Sequence, residues 1–147
     1  SLSAVDVSGI VREIAGQAPI TLRYSWLGES WRAEREGADV SKEINPNRAD
    51  FLLSTIENIQ VFRWLDPGDA AAAAALLDPR LRLTVLVRQV DGSGETVGMQ
   101  PRSLFVTPVS YHPDNQFFFG RLEGEPHFFL LDRQCFENLT VELFEDE

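Results

Sequence analysis

The 147-residue chain has little of what several kinds of protein require. Cys135 is its only cysteine, so one chain can form neither an internal disulfide nor a thiolate metal cluster. No apolar run approaches the roughly 18–20 residues that a helix needs to span a bilayer. The 13 basic residues are outnumbered by 23 acidic ones, which gives a net charge of −10. An acidic surface repels phosphate backbones, so we expect neither nucleic acid nor an anionic membrane as a partner.

Apolar residues are what the chain has in quantity. They make up 44% of it and include ten phenylalanines and three tryptophans, which can supply a large buried surface. A chain of this length fits one domain over residues 1–147 and needs no metal or disulfide for stability. Because the chain begins at Ser1 without a methionine, we expect it to be a fragment of a longer protein.

Alternating apolar and polar residues predict strands in two halves, about 1–65 and 79–147. In the first half the alternation runs from Ile20 to Trp26, as in a strand with one buried face. A return strand that contains Trp31 follows, and the segment Ile10–Ile14 is expected to pair alongside. These three strands predict a meander.

The second half is more strongly β. Alternation from Leu81 to Val87 predicts a strand, and Asp91–Gly94 has the composition of a hairpin turn. Pro101 is expected to interrupt the returning strand, so that Leu104–Val109 forms another. The segment Thr140–Phe144 is predicted to close the chain as a final strand.

Helix signals lie between these strands and after them. Asn47 is a candidate N-cap for an amphipathic helix that ends near Phe62. Asp66 is a candidate N-cap for an alanine-rich helix through Ala70–Ala75, which joins the two halves. A short helix begins at Asp132. Together the elements predict an α+β fold: antiparallel strands in two β-rich halves, packed with two longer helices and one short helix.

No motif predicts a catalytic, cofactor or metal site. His112 and His127 flank one predicted hairpin, but no ligand spacing accompanies them, and solvent-exposed histidines are ordinary there. Cys135 lies in the first turn of the short helix, where a nucleophile is conceivable. Its apolar neighbours favour a buried structural thiol instead. The many carboxylates leave a hydrolase as a lesser hypothesis, which depends on distances that a sequence does not contain.

The phenylalanine run is the most unusual local feature. Consecutive apolar residues at Phe117–Phe119, followed by Phe128, place side chains on both faces of a sheet. Internal packing is the favoured interpretation. If the hairpin is exposed instead, Phe118, Arg121 and Phe128 are the candidates for an interaction surface.

The order of several short segments resembles a known family. Glu29-Ser30-Trp31-Arg32-Ala33 precedes a break and a helix, and a strand at Pro79–Val85 precedes the glycine hairpin. Phe118–Gly124, Phe128–Leu131 and a closing helix to Leu139 follow. In this order the chain resembles the family catalogued as domain of unknown function 4340, although phenylalanine stands where that family has a tyrosine before the glycine turn.

That resemblance implies a role rather than a reaction. Members of the family look like extracytoplasmic domains that an N-terminal helix tethers to the membrane, and they are associated with ABC-type transport systems. For this protein, such a helix would be encoded upstream of Ser1. The implied function is a non-enzymatic accessory or binding module with protein partners in the cell envelope. No catalytic residue and no cofactor is carried over.

A rival resemblance is to the WYL domain, a β-rich ligand-sensing module of bacterial regulators. It rests on the order of Pro101–Leu104, the aromatic strand and Leu131-Asp132-Arg133, whereas the Trp-Tyr-Leu signature itself is missing. This alternative implies a cytoplasmic sensor of a small or nucleotide-like ligand. It predicts a pocket on which arginines such as Arg102, Arg121 or Arg133 converge.

Overall fold

The computed structural model of this chain describes residues 7–25 and 28–144. In that part of the chain the strands form one antiparallel sheet, and helices pack on both of its faces. None of these helices combines the length and the apolar character that crossing a bilayer requires. The strands are β1 (Val7–Ile14), β2 (Ile20–Ser25), β3 (Ser30–Arg35), β4 (Ala38–Asp39), β5 (Arg63–Trp64), β6 (Leu81–Val90), β7 (Thr96–Pro108), β8 (Phe117–Leu122) and β9 (Phe128–Asp132). The helices are α1 (Pro46–Glu57), α2 (Ala70–Ala75) and α3 (Arg133–Leu139).

The two predicted halves form one continuous sheet. Its strand order is β4-β3-β2-β1-β6-β7-β8-β9-β5. The halves meet where β1 pairs with β6, with Ile10 opposite Val85. β5 belongs to the first half of the sequence but pairs with β9 of the second half, at the far edge of the sheet. An α+β fold with antiparallel strands is therefore confirmed.

The register of the strands sends their apolar residues to a common face. Ile10 lies opposite both Leu22 and Val85, and all three are buried. Leu52 of α1 and Leu139 of α3 are buried against the same face. Each such side chain stabilises the fold by about 1.5–3 kcal/mol when fully buried. This face of the sheet therefore carries the main core.

A smaller apolar cluster lies on the opposite face. Phe119 of β8 and Phe128 and Leu130 of β9 are buried there against Ala72 of α2. Neighbouring residues of β8 and β9 point the other way, into the main core, because side chains alternate along a strand. The phenylalanine-rich strands are thus covered on both faces.

Helix α1 begins earlier and ends earlier than predicted. Asn45, not Asn47, is the N-cap, and its side-chain oxygen accepts a hydrogen bond from the Asn47 N–H at 3.0 Å. A proline at the first helical position explains the shift, since its fixed φ suits the helix start and its missing N–H would be unpaired there anyway. The helix ends at Glu57, before the predicted Phe62, and the chain then crosses to the sheet edge as β5.

Helix α2 is shorter than predicted, and α3 begins where predicted. Asp69 caps α2 by accepting from the Ala72 N–H at 3.0 Å. The prediction placed this cap at Asp66, but the Pro-Gly pair that follows Asp66 forms a turn. The helix proper therefore has only 6 residues. Asp132 caps α3 by accepting from the Cys135 N–H at 2.9 Å.

Strand β7 continues through Pro101, so the predicted interruption is wrong. Two residues later, the Ser103 carbonyl points towards β8 and accepts from the Glu123 N–H at 2.8 Å. Backbone groups alternate in direction along a strand, so the Pro101 nitrogen faces the same side. β8 pairs with β7 only from Leu104 onward. The missing N–H of Pro101 therefore faces an unpaired edge and removes no ladder hydrogen bond.

The predicted closing strand at Thr140–Phe144 is also wrong. Up to Phe144, the last residue that the structure describes, the segment makes one β-bridge, to Ile44, instead of joining the sheet edge. β5 already occupies the edge beside β9. The segment lies on the helix side of the sheet, where the Arg12 side chain donates to its backbone.

Candidate functional site

A cavity of about 620 Å³ opens on the helix side of the sheet, beyond the end of α1. Residues of β6, β7, β8 and β9 form its floor. The last turn of α1, the segment that follows it and β5 form its wall. Its volume lies within the roughly 300–1,000 Å³ typical of small-molecule sites.

The floor of the cavity is apolar because of the strand register. Leu83 lies opposite Leu104, and Leu104 lies opposite Leu122, so these three side chains point to the same face of the sheet. Val85 and Phe129 complete the floor. Four of the five are buried, and Leu122 is half-buried. The floor is therefore a rigid part of the main core.

The wall comes from the connection between α1 and the sheet edge. Ile56 is the last buried residue of α1, and Ile59 and Val61 follow it as half-buried side chains. The Trp64 ring of β5 meets the Phe129 ring edge to face, with centroids 5.5 Å apart and planes at 71°. Trp64 is nevertheless 64% exposed. The cavity is therefore open to solvent along this aromatic wall.

Arg102 brings a positive charge to the cavity. It lies opposite Val85 in the β6–β7 pair, so its side chain leaves the sheet on the cavity side. Among residues 7–25 and 28–144, its guanidinium has no carboxylate within ion-pair distance and no hydrogen-bond acceptor. Glu57, Glu125 and His127 also line the cavity. An apolar chamber with one unpaired cation and two carboxylates is the result.

Cys135 is not an activated nucleophile. Burial, and secondarily the negative charge of Asp132, raises the pKa of this thiol to about 11. Only a thiolate is strongly nucleophilic, so the group is protonated and unreactive at neutral pH. The residue is half-buried and packs against the main core, as the structural interpretation of the sequence predicts.

The two histidines take part in separate local contacts. His112 Nδ1 lies 3.5 Å from Asp114 Oδ2 within its own turn. His127 Nδ1 lies 3.3 Å from the Leu65 carbonyl oxygen, beside β5. Over the described ranges, no three side chains of His, Cys, Asp or Glu come together as metal ligands would.

The candidate interaction surface at Phe118, Arg121 and Phe128 does not form an exposed aromatic patch. Phe118 is 7% exposed and stacks on Phe136 of α3, with ring centroids 4.1 Å apart. Phe128 is 6% exposed and packs on the other face of the sheet. Only Arg121 is exposed, with its guanidinium 5.5 Å from the Phe105 ring centroid. The alternation of side chains explains the burial of both rings, because helices cover both faces of the sheet there, and internal packing is the interpretation that the sequence favours.

The three arginines expected to converge on a pocket do not all do so. Arg102 lines the cavity. Arg121 leaves the sheet on the opposite face, and Arg133 pairs with Glu137 along α3, with Nε 3.1 Å from Oε1. The cavity is therefore built around one arginine.

The sequence contained only part of the signal for this site. Alternation marks Leu83 and Val85 as lying on one face of a strand, but it marks the other alternating strands in the same way, and it predicts Leu104 only as the start of a strand. The wall depends on α1 ending at Glu57 and on Trp64 reaching the far sheet edge, and neither is visible in a local pattern.

Comparisons with protein-family models, with curated proteins and with solved structures found no match to this chain.

Proposed function

We propose that this domain is a non-enzymatic binding module whose ligand is a small, mainly apolar molecule with one acidic group. The observation that carries the proposal is the 620 Å³ cavity, whose floor and wall are lined by apolar side chains of the main core. Small-molecule sites commonly combine such an apolar chamber with a few polar groups that orient the ligand. The proposal follows the small-ligand alternative of the sequence analysis. Of the three arginines expected at the pocket, Arg102 is the one that lines this cavity.

Arg102 supports an acidic group on the ligand. Its guanidinium has no partner among the described residues, so a ligand carboxylate can take two of its N–H donors without displacing a protein group. Glu57 and Glu125 line the same cavity and would repel a second negative charge. A monocarboxylate with an apolar tail therefore fits this lining better than a phosphate or a dicarboxylate.

The apolar part of the proposal predicts a dependence on chain length. Each buried CH₂ group contributes about 0.8 kcal/mol, so two more carbons should tighten binding about 10-fold. Isothermal titration calorimetry with hexanoate, octanoate and decanoate measures this series. Affinities that do not change with chain length, or no saturable binding at all, would overturn the proposal.

A cavity-filling substitution tests whether the ligand enters this chamber. Leu122→Trp adds bulk to the cavity floor, whereas Leu86→Trp adds it at another half-buried leucine, on the opposite face of the sheet. We expect the first variant to lose decanoate binding and the second to retain it, with both remaining folded by circular dichroism. Equal binding by both variants would place the ligand elsewhere.

The role of Arg102 has its own comparison. Arg102→Gln should weaken decanoate binding about 10-fold, because a charge-assisted hydrogen bond is worth about 1.5–3 kcal/mol. The same variant should bind decanol as the unchanged protein does, and Arg121→Gln, on the opposite face, should alter neither ligand. If decylamine binds more tightly than decanoate, the glutamates hold the head group and the acidic assignment is wrong.

The accessory role implied by the resemblance to the domain of unknown function 4340 family stays a prediction. It includes an extracytoplasmic location, a membrane anchor outside this chain and protein partners in an ABC-type transport system. A cross-linking pull-down from envelope extracts tests it: enrichment of transporter subunits supports the accessory role. Capture of none, alongside binding of an alkyl carboxylate, favours the sensor alternative.

A further inference from the structure

We propose a second ligand site, for a free amino acid, in a polar cavity of about 410 Å³ at the opposite end of the sheet. The observations that carry it are independent of the apolar cavity. Two arginines with unused N–H donors and two glutamates line this space. The C-terminal segment 140–144 closes one side of it.

The strand register brings the two arginines to one place. Arg12 of β1 lies opposite Ile20 of β2, and Ile20 lies opposite Arg35 of β3. Residues that pair directly across strands point to the same face, and neighbouring strands are about 4.8 Å apart. The two backbones are therefore about 10 Å apart, and both side chains rise towards the C-terminal segment.

Arg12 is a buried cation with donors to spare. It is only 7% exposed, and its Nη1 donates to the Leu139 and Val141 carbonyls at 3.2 and 2.8 Å. Its Nε is buried and has no acceptor among the described residues. Nη2 also has no described acceptor and is not among the fully buried atoms, and Arg12 is one of the residues that line the cavity. A buried guanidinium normally has its N–H groups satisfied, by protein, water or ligand.

Arg35 repeats this pattern at the other side of the cavity. Its guanidinium carbon lies over the Phe144 ring, 4.4 Å from the ring centroid. Within residues 7–25 and 28–144, none of its guanidinium N–H groups donates to an oxygen. Stacking leaves the edge of a guanidinium available for a carboxylate. Arg12 and Arg35 together therefore offer donors to one acidic group.

The acidic residues of the cavity indicate that the ligand also carries a positively charged group. Glu36 follows Arg35, and Glu142 lies in the closing segment, where its Oε1 accepts from the Phe144 N–H at 3.1 Å. Two cations and two anions give the lining no net charge. A simple anion would be repelled by Glu142, and a simple cation by Arg12. A molecule that carries both a carboxylate and an ammonium group matches the lining, and a free amino acid is the smallest common one.

Thermal unfolding with a panel of standard free amino acids tests the site. At a concentration a hundredfold above its Kd, a true ligand should raise Tm by about 5–10 °C, since it stabilises only the folded state. The best ligand should bind at least about 10-fold more tightly than its deaminated and its decarboxylated analogues. If no amino acid raises Tm, or if the deaminated analogue binds equally well, the proposal is overturned.

A matched pair of β3 variants locates the binding. Arg35→Gln removes a cavity cation, whereas Arg32→Gln removes an arginine of the same strand that is 70% exposed on the opposite face. We expect at least about a 10-fold loss of affinity in the first variant and none in the second. Equal affinity in both variants would overturn the site even if binding itself occurs. Decanoate binding in the apolar cavity should be the same in both, so failure of one site is distinguishable from failure of the other.

Discussion

Replacing Arg12 tests how much a buried, positively charged side chain contributes to the stability of the fold. The side chain is 7% exposed and bridges β1 to the end of α3 through the Leu139 and Val141 carbonyls. Burial lowers its pKa to about 10, partly offset by the negative charge of Glu142, so it is still a cation at neutral pH. Arg12 therefore ties the C-terminal segment to the sheet while itself being poorly solvated.

Opposing contributions set the size of the effect. Arg12→Ala loses two hydrogen bonds to a charged donor, about 1.5–3 kcal/mol each, and two buried CH₂ groups at about 0.8 kcal/mol each. It also removes the net cost of burying the cation beside Glu142, which the change in pKa puts at about 3 kcal/mol. The net expectation is a loss of about 3 kcal/mol in the free energy of unfolding. Arg12→Met keeps the apolar stem and should lose only about 1.5 kcal/mol.

Urea unfolding followed by tryptophan fluorescence measures both variants, provided that the denaturant slope m stays constant. Arg32→Ala is the control, because its ion pair with Asp39 spans 4.0 Å at the surface and contributes little. We expect the control to change stability by less than about 0.5 kcal/mol. An Arg12→Ala variant as stable as the control would refute the claim that these carbonyl contacts hold the segment. An Arg12→Met variant as unstable as Arg12→Ala would refute the separate contribution of the stem.

Further outcomes follow from three single positions. A Cβ at Gly120 would overlap the buried Phe129 ring, so Gly120→Ala should cost about 1–3 kcal/mol in the same unfolding assay. Gly92→Ala, where nothing lies within 4 Å, should cost less than about 1 kcal/mol; equal effects would contradict the close approach. With the Cys135 pKa raised from 9.0 to about 11, iodoacetamide at pH 8 should modify the folded thiol about 100-fold more slowly than a free cysteine. The unfolded thiol loses its proton first, so stability should fall as pH rises from 9 to 11, and Cys135→Ala should abolish that part of the fall. Asp132→Ala removes the α3 cap and should cost about 1 kcal/mol, and an unchanged unfolding midpoint would show that the cap is dispensable.

Local chemistry predicted most of the elements and some of their ends. The alternation at Leu81–Val87 and the Asp91–Gly94 turn correspond to β6 and its hairpin with β7. Asp132 caps α3 as predicted. These features depend on interactions within a few residues, which a sequence contains in full. The cap of α1 was misplaced by two residues because Asn45 and Asn47 are equally good capping residues and only the backbone geometry separates them.

Two predictions that depended on distant parts of the chain were wrong. Pro101 is compatible with β7 because β8 pairs only from Leu104 onward. Thr140–Phe144 has the composition of a strand, but β5 occupies the sheet edge beside β9. In both cases the outcome depends on which neighbours a strand has, and strand neighbours are set by the topology of the whole sheet.

The candidate sites show the same division. Residue order alone determined a single acidic α+β chain whose alternating positions, including Leu83, Val85 and Ile20, could be listed in advance. Only the tertiary structure decided that α1 stops short of β5 and leaves an apolar cavity beside Arg102. It also decided that Arg12 and Arg35, 23 positions apart in sequence, share one cross-strand row. The physical reason is that periodicity specifies which way a side chain points, whereas a cavity depends on what other segment covers it.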